Sequence, residues 1–67
     1  MIIDPFRLYR RRQRLLREAQ DEAQYLRRRH GDSAAAAARE KLARPDLTRW
    51  GQRVVEQALR ELERADG

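Results

Sequence analysis

The side chains in this sequence that could do chemistry are few: His30, Ser33, Thr48, Tyr9, Tyr25 and eleven carboxylates, with no cysteine. Covalent catalysis needs a nucleophile with a base beside it, and metal chemistry needs clustered ligands at a defined spacing. Neither pattern is present. His30 could serve as a pH-sensitive contact or a lone ligand, but just before Gly31 it fits a residue that complements the negative end of a helix dipole. Ser33 and Thr48 each precede a helix-forming run, where a hydroxyl caps free backbone N–H groups. Arg14/Glu18, Arg17/Asp21, Glu40/Arg44 and Glu56/Arg60 stand four apart, the spacing of ion pairs on a helix surface. Glycine-rich phosphate loops are missing. The sequence therefore predicts a chain that is not an enzyme, with no cofactor, metal or small-molecule substrate.

What remains is binding chemistry, and it is concentrated at one end. Residues 1 to 17 hold Arg7, Arg10, Arg11, Arg12, Arg14 and Arg17 against a single acid, Asp4, which accounts for the whole net charge of +5. The other fifty residues carry ten basic and ten acidic groups, so they balance. Such asymmetry points to an anionic partner for the N-terminal segment. A GC-rich genome also favours arginine, and Lys41 is the only lysine among sixteen basic residues. Local physics is nonetheless disobeyed here, since Arg7 sits in the positive first turn of a helix and Arg10, Arg11 and Arg12 are consecutive like charges. Interleaved with these arginines are Ile2, Ile3, Phe6, Leu8, Tyr9, Leu15 and Leu16, the candidate apolar interaction patch.

Three helices must position these groups. Asp4-Pro5 is a start signal, with an acceptor at the cap and proline where no N–H is needed. No breaker follows until Gly31, so helix 1 is expected over about 5–30. At about 100° per residue Leu8, Tyr9, Leu15, Leu16, Ala19, Ala23, Leu26 and His30 share an arc of about 120°, with Arg12 in its middle. Asp32-Ser33 followed by Ala34 to Ala38 predicts helix 2 over 33–43, small-faced and suited to close approach. Pro45 disfavours helical geometry at Arg44, and Asp46 or Thr48 caps helix 3 over 47–64, leaving 65–67 as a frayed tail. In helix 3, Leu47, Trp50, Val54, Val55, Ala58, Leu59 and Leu62 make the apolar stripe, and Trp50 is expected in the core. Tyr25, off the stripe of helix 1, is expected either to meet helix 2 or to face solvent. Gly51 is expected to permit a close contact beside Trp50.

The chain as a whole is expected to be one small all-α domain, 1–67, in which a long basic helix 1 forms a hairpin with helices 2 and 3. Sixty-seven residues without cysteine make a thin core that depends on good helix packing or on a partner chain. Pro45 is compatible with a gentle kink, which would carry helix 3 toward Tyr9, or with a sharp reversal back toward Gly31, which would leave the start of helix 1 bare. Helices 2 and 3 flanking a turn suggest a helix-turn-helix, but residues 46 to 67 carry five acids against four arginines, a poor charge for a recognition helix.

Asp4-Pro5-Phe6, the Arg28-Arg29-His30-Gly31 junction, the run Ala34 to Ala38 and Pro45-Asp46-Leu47-Thr48-Arg49-Trp50-Gly51 form a layout that resembles short, uncharacterised bacterial all-helical proteins. The resemblance implies the fold and no activity. From its own residues the chain is expected to be an interaction protein, cytoplasmic or peripheral on the cytoplasmic face of the membrane. Its Arg-rich helix 1 would dock on an anionic surface, first of all the inner leaflet or a membrane-associated complex. Self-association or an acidic protein partner is the next expectation, and a nucleic-acid backbone the third.

Overall fold

The computed structural model describes residues 5–66, and all of its regular structure is helical, with no strand among the described residues. Two long helices dominate, α1 (Pro5–His30) and α3 (Arg49–Asp66), and the alanine-rich segment between them forms a short helix, α2 (Ala34–Leu42). They are therefore not three comparable helices. The cap expected at Asp4 lies outside the described residues, as do Ile2 and Ile3.

α1 ends where glycine allows it to end. Gly31 has φ +57, the left-handed conformation that costs other residues strain, and Arg27, Arg28, Arg29 and His30 occupy the final turn against the negative end of the dipole. A single turn of 3-10 helix, Gly31–Ser33, then feeds directly into α2. Ser33 does stand before α2, but its side chain makes no capping bond. The backbone explains why: the 3-10 turn is closed by the Ala34 N–H donating to the Gly31 carbonyl, so the chain is already helical on arrival. α2 closes with the Ala43 N–H bonded to the Arg39 and Glu40 carbonyls, and Pro45 prevents continuation.

Thr48 does cap α3. Its Oγ1 accepts from the Gly51 N–H at 3.0 Å and its carbonyl accepts from the Gln52 N–H at 2.8 Å. Glycine is suited to that third position for a steric reason, because a Cβ there would lie 3.0 Å from Leu47 Cδ1 and 3.1 Å from Thr48 Oγ1. The close contact is thus with the cap itself rather than beside Trp50. α3 continues through Ala65 and Asp66, past the expected end at 64. Thr48→Ala should lower unfolding free energy by about 1 kcal/mol, whereas Ser33→Ala should change it by a few tenths at most. Urea denaturation of the two variants measures the contrast, and equal losses would contradict this account of the caps.

The core is built largely from alanine. Ala19, Ala23, Ala34, Ala38 and Ala58 are buried with Leu26, Val54, Val55 and Leu62. Small residues at the contacts let the three backbones approach closely, so little apolar area is contributed per residue. Polar contacts at the edges mark the register. Lys41 of α2 reaches Glu22 of α1, Arg39 pairs with Glu63 of α3 at 3.0 Å, and the Trp50 indole N–H donates to Glu18. Of the four expected i,i+4 pairs, Arg14–Glu18 forms, loosely, at 3.9 Å, and the other three do not form. Tyr25 is half exposed and lies beside Ala37, Glu40 and Lys41 of α2.

These ties settle the geometry at Pro45. Trp50, at the start of α3, lies against the middle of α1, while Leu62 lines a cleft with Arg27 and Gly31 at the far end. α3 therefore reverses and runs back toward Gly31, parallel to α1 and antiparallel to α2. At 1.5 Å per residue α1 is about 39 Å long and α3 about 27 Å, so one end of α1 must project. The molecule is correspondingly elongated: its extents are 44 × 26 × 18 Å and its radius of gyration is 13.3 Å, against about 11 Å for a compact chain of this length.

Candidate functional site: the N-terminal arm of α1

All ten residues from 5 to 14 are exposed. This arm contains most of the residues that the sequence marks as candidates. Phe6, Leu8 and Tyr9 are 73%, 57% and 63% exposed, and Arg7, Arg10, Arg11, Arg12 and Arg14 are exposed with them. Arg17, one turn further on, is exposed as well, whereas Leu15 and Leu16 are half-buried and lie at the edge of the packed body. The expected apolar stripe of α1 is accordingly split. Its C-terminal half, Ala19, Ala23 and Leu26, is core; its N-terminal half, Leu8 and Tyr9, meets no covering helix because α3 turns the other way. His30, the last residue assigned to the stripe, is exposed at the Gly31 end.

Helical geometry sorts the arm into two faces. Stepping about 100° per residue, Arg17, Arg10, Arg14, Arg7 and Arg11 fall in that order within about 120°, while Leu15, Leu8, Arg12, Leu16 and Tyr9 fill an arc of similar width on the other side. Among the described residues, Arg7, Arg10, Arg12 and Arg17 form no ion pair, and Arg14 has only the 3.9 Å approach to Glu18. The arm therefore combines a nearly uncompensated cationic face with an uncovered apolar one.

Compared with known protein families, curated proteins and solved structures, the chain matches none.

Where the arm meets the body, sequence periodicity missed an arrangement. Trp50 is only half-buried, not the main core filler. Its ring forms a wall facing α1, and the Arg11 guanidinium lies 5.8 Å from its centroid, within range of a cation–π interaction. Arg10, Arg11, Arg14 and Trp50 together line a cleft of about 420 Å³. Tertiary packing brings position 50 to positions 10–14, and no local spacing encodes that. Among the described residues no cluster of His, Cys, Asp or Glu is suited to a metal ion, and no helix is long and apolar enough to cross a membrane.

Proposed function

We propose that this chain is a non-enzymatic docking module whose N-terminal arm lies on an anionic lipid surface, the cytoplasmic leaflet of a membrane. The observation that carries the reading is the exposure of residues 5 to 14 as one continuous helical surface bearing both arginines and large apolar groups. A helix with one basic and one apolar face suits the headgroup boundary, where the apolar side chains enter the acyl region and the cations stay among the phosphates. Arg12, central on the apolar face, is accommodated by extending its guanidinium outward along its own stem. A nucleic-acid backbone would use the arginines but leave Leu8 and Tyr9 in water. A second copy of the chain would cover the apolar groups but would enclose Arg12, central on that face, and leave the basic face without a partner.

Co-sedimentation with vesicles containing anionic lipid tests the proposal. Binding is expected, weakening steeply as salt rises because the interaction is partly screened. Leu8→Ala should reduce it further without altering the circular dichroism spectrum, since Leu8 is mostly exposed and lies outside the core cluster. A protein that ignores such vesicles but binds duplex DNA, RNA or an acidic polypeptide would overturn the reading.

A further inference from the structure

The cleft between the arm and Trp50 gives that docking surface a chemical preference. Resting on the membrane reading, we infer that Arg10, Arg11, Arg14 and Trp50 form a headgroup subsite that takes a lipid phosphomonoester in preference to a phosphodiester.

The charge balance inside the cleft is the first reason. Three guanidiniums line it. Among the described residues, the carboxylate that reaches this group is Glu18, and it is already engaged: it accepts the Trp50 indole N–H, and its other oxygen is 3.9 Å from Arg14 Nε. Among the described residues, Arg10 and Arg11 face no carboxylate within ion-pair distance. A phosphomonoester brings a charge of about −1.5 to −2 and three free oxygens. A phosphodiester brings one charge and two free oxygens, so it satisfies fewer of the donors that arginine forks present.

Preorganisation is the second reason. Glu18 fixes the indole from one side and Arg11 lies over its ring, so one cation is already oriented toward the cleft before any ligand arrives. The ring is one wall of the cleft, against which a headgroup can pack. Leu8 stands three residues before Arg11 and so beside it on the helix surface, which places an acyl-facing group next to a phosphate-facing one.

The test uses the whole chain and two sets of vesicles, one containing phosphatidic acid and one phosphatidylglycerol, each mixed with neutral lipid to give the same zeta potential. Binding is read by co-sedimentation and, for chains that retain it, by the emission of Trp50, the single tryptophan. The phosphomonoester vesicles should bind about fivefold more tightly, roughly the effect of one additional charge contact. Arg11→Gln, on an exposed position, and Trp50→Phe should each bring the ratio close to one, while Arg7→Gln, outside the cleft, should weaken both and keep the ratio. Equal affinity for the two vesicles at matched potential would overturn the subsite and leave the docking surface standing; binding to neither would end both. Glycerol 3-phosphate that displaced the protein at concentrations as low as the lipid's would reassign the cleft to a soluble phosphoester and overturn the lipid assignment.

Discussion

Replacing Arg10, Arg11 and Arg12 together with glutamine is expected to reduce binding to anionic vesicles about 100-fold at low salt, each basic group near such a surface contributing about 1 kcal/mol. The three are consecutive, so they point in different directions around α1. Arg10 belongs to the basic face, Arg11 lies over Trp50, and Arg12 is central on the apolar face. On a flat surface not all three can contribute equally, and the single substitutions separate them. If Arg12→Gln matched or improved wild-type binding while Arg10→Gln lost about fivefold, the helix lies with its apolar face down. The triple variant should keep its helical content, because all three side chains are exposed and no ion pair is removed. Unchanged vesicle binding in that folded variant would end the proposal that these arginines dock the arm.

The second large effect is on stability. Leu62→Ala should remove a large share of the folding free energy and lower the unfolding midpoint sharply. A buried leucine truncated to alanine costs about 2–5 kcal/mol. A domain of this length commands only about 3–10 kcal/mol in total, at 0.05–0.15 kcal/mol per residue. Leu62 is 2% exposed and is one of four large side chains in a core otherwise made of alanine. It also holds the end of α3 against the Gly31 turn. With so few side chains of any size, the neighbours have little volume with which to refill the space. Thermal or urea unfolding followed by circular dichroism measures the loss, and a cost below about 1 kcal/mol would show that α3 is not anchored there.

Much of the local architecture is legible in the sequence because its signals are local. Pro5 and Gly31 delimit α1 without reference to the rest of the molecule, and the spacing of Val54, Val55, Ala58 and Leu62 marks the buried side of α3. Ser33 shows the limit of that reasoning. A serine before an alanine run looks like a cap, but the cap is redundant where a 3-10 turn delivers the chain already helical. The candidate site was legible as residue types, since the excess of arginine over acid at positions 7 to 17 requires only counting. Its shape was not. Whether Leu8 and Tyr9 are core or surface depends on which way α3 leaves Pro45, and a proline turn of this length permits both directions. The cleft was hidden for a related reason, because the meeting of Trp50 with Arg11 is a contact between distant segments and leaves no trace in either segment alone.

The projection of α1 beyond its neighbours also sets how its order is maintained. From residue 15 onward the helix is held by side chains locked against α2 and α3, so its amides should open only with the fold as a whole. Toward Pro5 that support ends, and the hydrogen-bonded turns persist only by propagation from the held half, at a free energy per residue close to zero. One continuous helix thus spans two regimes, a cooperative one and a zipper-like one, with the boundary near Leu15 and Leu16. Contact with a surface would extend the cooperative regime toward the N-terminus, so part of the affinity is spent on ordering backbone and the tightness of binding is coupled to helix propensity in the first three turns.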